Sequence, residues 1–407
     1  MKCRFLGVLL LVVMVGCGDL SDPVATPASS SPVQPSVSVP ASTESAPVSD
    51  VDSGDLERIL AAKLQRYPAP GALALVDVDG RRVDGWSGAA DLDGAPIGPD
   101  TRFRIASITK PITASLVLDA VQRGELSLDD RVVDLVPGLL TGDPAVTVRM
   151  LLDHTAGIFD QTNNLDILDD IALLTDPAQI AEADDLVAGY LAGEDVIVPD
   201  SLLVAAAEAH GRDFPAGTEY RYSNLNYQVA AIILEAVTGQ PFADVLRERI
   251  VEPLGLERTT IAPPDLASPE FRGYGTDVDD GSLVDITDEL ELFGNGASGG
   301  VISTAGELAT IMQAIVAGDL LEPSLRDEMR APTELSDGTY GLGLARYGLS
   351  CGTFYGHEGG VNGTASIALV SEDGTDAVVV ALNLRDGSNP NLPALADDLL
   401  CPALLTR

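Results

Sequence analysis

Apolar residues recur at helical spacing at Leu56, Ile59, Leu60 and Leu64 in "DSGDLERILAAKLQRY" (52–67), behind a capping residue, and predict a helix. "GALALVDV" (71–78) and "RRVDGWSG" (81–88) flank Asp79-Gly80, the chemistry of a tight hairpin turn. That turn accounts for Asp77 and Asp79 without a metal, since a calcium loop needs a longer ladder of oxygen ligands. From about 107 to 265 the spacing is mostly helical: 110–124, 148–154 and 226–239 read as helices, two of them closed by glycine. "STAGELATIMQAIVAG" (303–318) predicts a further helix, "GTASIALVS" (363–371) and "TDAVVVALNL" (375–384) buried strands, and "NLPALADDLLCPALL" (391–405) a closing helix. Strands at both ends around a helical middle predict an α/β (α+β) fold. One antiparallel sheet is formed from both chain ends, with flanking helices and a mostly helical region inserted at about 125–265.

Composition adds a division of the chain. Lys2 and Arg4 precede an apolar run, Phe5 to Val15, too short to span a bilayer, and the run ends in "MVGC" (14–17). This resembles a bacterial lipobox, with Met14 where leucine is usual. The expectation is a lipoprotein signal peptide over 1–16 and an acylated Cys17. Ordinary cleavage with secretion is the alternative. Residues 18 to 52 are rich in Ser, Pro, Val, Ala and Thr without periodicity and predict a disordered tether behind the anchor at Cys17. The globular part is then 53–407, held outside the cytoplasm at the bacterial membrane. Of four cysteines, removal of Cys3 and acylation of Cys17 leave Cys351 and Cys401, expected to form a disulfide in an oxidising compartment. The net charge of −38 repels nucleic acid and anionic lipid surfaces, which excludes nucleic acid as a partner.

Candidate chemistry starts from a rarity. Among 24 Lys and Arg, the lysines are only Lys2, Lys63 and Lys110. Lys110 stands three residues after Ser107 in "RIASITKPIT" (104–113), and Pro111 marks a helix start. Positions i and i+3 share a helix face. A serine hydroxyl needs a neighbour to accept its proton, and a desolvated lysine can do so where arginine, always charged, cannot. "YRYSNLNY" (220–227) offers Tyr222 as a proton relay and Asn224 as a donor to a substrate carbonyl. "YGHEGGVNG" (355–363) offers His357 with Gly359 and Gly360, glycines suited to close backbone approach. His154 beside Asp153 gives Ser107 a competing Ser-His-Asp arrangement. The position of His154, where a helix runs into a loop, points instead to a histidine holding backbone. Three histidines and no paired cysteine spacing leave no zinc site, and no cofactor is expected.

S-x-x-K, then Tyr-x-Asn, then His-x-Gly, in this order, resembles the signature of the penicillin-recognising serine hydrolases. These include class C β-lactamases, D-alanyl-D-alanine carboxypeptidases and related esterases and amidases. "LLDHTAGI" (151–158), "GASGGVISTAGELA" (296–309) and "YGLGLARYGLSCGTFYGHEGG" (340–360) extend the likeness over about 53–403. The resemblance implies Ser107 as nucleophile, Lys110 as its proton partner and Tyr222 as general base and acid. It also implies Asn224, His357, Gly359 and Gly360 as substrate-binding residues, with an oxyanion hole at the N–H groups of Ser107 and Gly360. The implied function is a hydrolase forming an acyl-enzyme on Ser107, most like a carboxypeptidase acting on cell-wall peptides. Esterase and β-lactamase are alternatives, and a non-catalytic penicillin-binding sensor is the alternative of another class. Two positions depart from the pattern. Glu358 replaces a threonine that helps hold a terminal carboxylate, and Ala345 replaces an arginine, Arg346 being one step along and so on the other face.

Overall fold

The computed structural model describes residues 52–160, 173–191, 198–261, 269–277, 280–287, 296–318, 320–361, 363–384 and 390–405. The signal segment, Cys17, nearly all of the tether and the acidic run 166–172 lie outside them. Eleven described strands run in chain order: β1 Gly71–Val78, β2 Arg81–Gly88, β3 Phe103–Arg104, β4 Thr260–Ile261, β5 Tyr274–Thr276, β6 Leu283–Asp285, β7 Val301–Ser303, β8 Ala345–Leu349, β9 Gly352–Val361, β10 Thr364–Ser371 and β11 Asp376–Leu382. Six of them form one sheet in the order β2-β1-β11-β10-β9-β8, every pairing antiparallel. The N-terminal hairpin therefore joins the C-terminal strands through β1 and β11, as the hydrophobic pattern predicts. Asp79 and Gly80 make the hairpin turn with φ of 52° and 79°.

Both faces of this sheet are covered, which is why β10 and β11 read as unbroken apolar runs. Alternate residues serve different cores. Val378, Val380, Leu382, Ile367 and Leu369 pack on one side with Leu56 and Leu60 of the helix Ser53–Leu64 and Leu395, Leu399 and Leu400 of the helix Leu392–Leu404. On the other side Ala377, Val379, Ala381, Ala368 and Val370 meet the larger core, which includes the helices Thr109–Gln122 and Ala305–Ala317. Small residues on that face let the Ala305–Ala317 helix lie close to the strands. The helix ends are chemically marked. Asp52, Thr147, Thr304 and Asn391 each accept an N–H of the first turn through the side chain.

The helix Thr109–Gln122 is buried at every residue from Thr109 to Ala120, so it is the central element of the larger core. In chain order, the helices of the inserted region follow it and precede the C-terminal strands, among them Val148–Leu152, Pro177–Leu191, Asp200–His210 and Asn224–Thr238. Arg249, after the helix Phe242–Leu246, pairs with Asp119 at 3.0 Å and with Glu125 at 3.0 Å, tying this region to the central helix. A second small sheet, β3-β7-β4, sits where the chain enters that helix. Cys351 and Cys401 are joined by a disulfide that links the β8–β9 turn to the closing helix. Among the described residues no single helix is long and apolar enough to cross a membrane.

Candidate active site

Ser107 lies in a 3-10 turn, Ala106–Ile108, that runs directly into the helix starting at Thr109. Three contacts fix the turn. The Ile105 N–H bonds Val301 O of β7 at 3.0 Å, and the Ser366 hydroxyl of β10 donates to Ile105 O at 3.2 Å. Thr109 Oγ1 accepts the Val301 N–H at 3.3 Å. Ala106 is held at φ 52°, a left-handed conformation that a non-glycine residue adopts only when its surroundings impose it. Ser107 thereby stands half-buried at the helix entrance, where the aligned peptide dipoles favour negative charge.

Lys110 is wholly buried, like every residue of the central helix from Thr109 to Ala120. Its Nζ lies 3.0 Å from Ser107 Oγ, 2.7 Å from Asn224 Oδ1 and 2.8 Å from the Ser298 carbonyl oxygen. Burial pushes its pKa down to about 7, and the Asp160 carboxylate opposes that in part. Near neutral pH the amine can therefore shed its proton. The Nζ also lies 4.8 Å from the centre of the Tyr222 ring.

Tyr222, Ser223 and Asn224 enter the helix Asn224–Thr238, with Ser223 at the N-cap in extended conformation. The Tyr222 hydroxyl is sealed from solvent, with the Ser107 side chain as its neighbour. Burial raises its pKa well above the ordinary phenol value, while the Ser107 hydroxyl acts in the opposite sense. Asn224 spans two groups. Its Oδ1 accepts from Lys110, and its N–H and Nδ2 donate to Asp160 Oδ2 at 2.9 and 3.2 Å. Asp160 and the Ser298 carbonyl are two members of the site that sequence reading missed. Each is far from Lys110 in the chain; Asp160 stands outside every quoted motif, and Ser298 lies in the quoted stretch 296–309 but acts through its backbone carbonyl, which no side-chain pattern marks.

His357 projects from β9, where burial and the nearby Lys110 depress its pKa to about 3, leaving a neutral ring. Its Nε2 pairs with the Tyr340 hydroxyl at 3.1 Å. Tyr340 is a further member, at the head of the quoted stretch 340–360, to which sequence reading gave no role. The register of β8 and β9 runs from Leu349↔Gly352 to Ala345↔Gly356, so β8 stops one residue before His357. Gly359 packs on the Ser107 turn: a Cβ there would sit 2.3 Å from Ile105 O and 3.1 Å from the Ala106 Cβ. Gly360 follows it on the same strand, paired with Ala365 of β10. Glu358 is exposed, 3.4 Å from the Tyr347 hydroxyl, with its pKa raised by partial desolvation. Ala345 is half-buried and Arg346 exposed on the next position of β8.

The competing Ser-His-Asp arrangement is not formed. Asp153 Oδ1 accepts the Thr155 hydroxyl at 2.6 Å and the Thr155 N–H at 3.2 Å. His154 points its Nδ1 at the Ser223 N–H and Asn226 Nδ2. His210 lies elsewhere, stacked on Phe159 with ring centres 3.7 Å apart. Among the described residues no group of three or more His, Cys, Asp or Glu side chains is placed to hold a metal ion.

The same region of the chain matches known proteins. Residues 56–400 match the Beta-lactamase family. Penicillin-binding protein 4 of Amycolatopsis lactamdurans is 32% identical over 214 residues, 51% of this chain and 49% of that protein. A D-aminopeptidase of Brucella anthropi is 30% identical over 325 residues, 78% of this chain and 56% of that protein. The chain thus spans about half the length of these curated relatives. Among solved structures, a D-stereospecific amidohydrolase from Streptomyces sp. superimposes with a TM-score of 0.65 at 30% identity, covering 82% of this chain and 94% of that one. With the family matched across nearly the whole described structure and the sheet and helices arranged as in its solved relatives, the chain belongs to the Beta-lactamase family and has that fold.

Proposed function

We propose that this protein is a serine hydrolase that cleaves amide bonds of small substrates carrying a free amino group, in the manner of a D-aminopeptidase or D-amino acid amidase, through an acyl-enzyme on Ser107. The observation that carries the reading is Glu358, an exposed carboxylate immediately after His357. A carboxylate at that position repels a carboxylate-terminated peptide and attracts an ammonium group. The likeness to the D-aminopeptidase of Brucella anthropi supports the free-amine class, and the likeness to the Streptomyces D-stereospecific amidohydrolase supports amide cleavage.

In this reading the neutral Lys110 amine takes the Ser107 hydroxyl proton as Oγ bonds to the substrate carbonyl carbon. The carbonyl π electrons move to oxygen, giving a tetrahedral oxyanion. Collapse breaks the C–N bond, and the leaving nitrogen takes the Tyr222 phenol proton while Lys110 returns its own to Tyr222. A water then attacks the acyl ester by the reverse sequence, with Ser107 as leaving group. The high proton affinity of Tyr222 suits it to relay a proton rather than to stand as a phenolate, which assigns the resting base role to Lys110.

Carboxypeptidase action, the expectation drawn from motif likeness, is kept as the second reading because of the relation to penicillin-binding protein 4. Turnover of a D-alanyl p-nitroanilide, its N-acetylated form, a D-Ala-D-Ala peptide, a short-chain ester and a chromogenic cephalosporin separates the two. The free-amine substrate should exceed its N-acetylated form at least about tenfold in kcat/KM, and Glu358→Thr should erase most of that preference. Equal or better turnover of the acetylated form, or preferred release of D-alanine from the peptide, would overturn the reading. Ser107→Ala should abolish turnover of every substrate. We further propose lipid attachment at Cys17 outside the cytoplasm. Palmitate labelling of the full chain that Cys17→Ala removes is the expected result, and labelling that persists would contradict it.

A further inference from the structure

One histidine lies against the proposed reacting groups without touching Ser107 or Lys110 in any hydrogen bond. His154 is fully buried and sits at φ 60°, a left-handed conformation in a residue with a bulky side chain. Its carbonyl oxygen accepts the Arg221 N–H at 3.0 Å, and its Nδ1 lies 3.3 Å from the Ser223 nitrogen and 3.1 Å from Asn226 Nδ2. Its ring centre is 4.3 Å from that of Tyr222. One residue therefore pins the backbone on both sides of Tyr222, reaches Asn226 two positions beyond Asn224, and packs on the Tyr222 ring.

We infer that His154 is the positioning residue for Tyr222: by accepting the Ser223 N–H and the Asn226 amide on Nδ1, it fixes the loop that aims the Tyr222 hydroxyl at Ser107. This rests on the proposed roles of Ser107, Lys110 and Tyr222. Accepting at Nδ1 places the ring proton on Nε2 and keeps the ring neutral. Burial, with the neighbouring Lys110 and His357, holds its pKa well below the ordinary histidine value, in agreement with that state. The left-handed backbone is consistent with a residue held in place by its surroundings rather than by its own preference.

Two substitutions separate positioning from space filling. Asparagine places Oδ1 where histidine has Nδ1 and tolerates a left-handed backbone, whereas phenylalanine keeps a ring and removes the acceptor. His154→Phe should lower kcat about 30-fold or more with KM changed less than about threefold, because a misaimed relay costs rate rather than binding. His154→Asn should recover about tenfold of that loss. The second-order rate of Ser107 labelling by a fluorophosphonate should follow the same order, and circular dichroism should show both variants folded. Unchanged kcat in His154→Phe, or equal loss in both variants, would overturn the inference. If the phenylalanine variant does not fold, nitrogen NMR of the unaltered protein decides, since it has only three histidines. An acceptor-type Nδ1 with a protonated Nε2 is expected for His154, and the opposite tautomer overturns the proposal. Failure of the underlying mechanism is distinct: Ser107→Ala would then retain turnover.

Discussion

Protonated, the Lys110 ammonium donates to Ser107 Oγ, Asn224 Oδ1 and the Ser298 carbonyl, one hydrogen for each. Neutral, it keeps two hydrogens and offers a lone pair, and of its three neighbours only Ser107 carries a proton to give. The geometry therefore couples loss of the lysine proton to a reversed hydrogen bond with Ser107, the proposed nucleophile. Because the pKa is lowered to about 7, the neutral fraction grows as pH rises. kcat/KM should climb about tenfold per pH unit below that value and level off above it. His154 and His357, both held neutral by burial, should add no second limb between pH 6 and 8. Asp160 raises the Lys110 pKa, so Asp160→Asn should move the limb to lower pH, measured by the same profile. Ser107, Lys110, Tyr222 and His357 were legible because each stands in a short local pattern. Asp160 was not, since its contact with Asn224 depends on how distant loops pack, and Tyr340 stood in a quoted stretch without a role because its contact with His357 is tertiary.

The chemistry at this site depends on how closely β9 approaches the Ser107 turn. Gly359 makes that approach possible, since a Cβ would fall 2.3 Å from Ile105 O and 2.5 Å from Ser366 Oγ. Neither the backbone oxygen nor the buried serine has room to withdraw. Gly359→Ala should cost about 1–3 kcal/mol of stability by overpacking, read as a lower denaturant midpoint. It should also lower kcat/KM more than about tenfold by shifting the strand against the turn. At this scale the sequence was most informative where elements are long. The hairpin, the helix Asn224–Thr238 and the strands β10 and β11 follow from periodicity, turn residues and glycine caps. The sheet β3-β7-β4 was not foreseen, because two- and three-residue strands carry no periodicity. The left-handed Ala106 was equally hidden, since alanine gives no sign of that backbone conformation.

Across the molecule, the sheet separates chemistry from covalent restraint. The proposed site belongs to the side of the larger core, whereas Cys351 packs against the core that holds the two terminal helices. The Cys351–Cys401 bridge spans a sequence separation of 50, and closing a loop of that size restricts the unfolded chain. Removing it by Cys351→Ala with Cys401→Ala should cost about 2–4 kcal/mol, seen in chemical denaturation. kcat at 25 °C should change little, because the closing helix does not reach Ser107 or Lys110. The general architecture was legible because both chain ends offered strands that one sheet could unite. The pairing of the cysteines followed from their number and the expected export. How the inserted helices pack around the central helix was not legible, because that order is set by contacts such as Arg249 with Asp119 that no local pattern encodes.

The central claim is that a buried, uncharged amine at position 110 takes the proton from Ser107. Its most direct test is the intact mass of Lys110→Arg after brief incubation with p-nitrophenyl acetate at pH 8, where the wild-type protein should gain an acetyl group on Ser107. A guanidinium stays charged at that pH and cannot accept the proton. The folded variant is predicted to gain no acetyl mass on the same time scale. Acetylation of Ser107 at the wild-type rate would contradict the account.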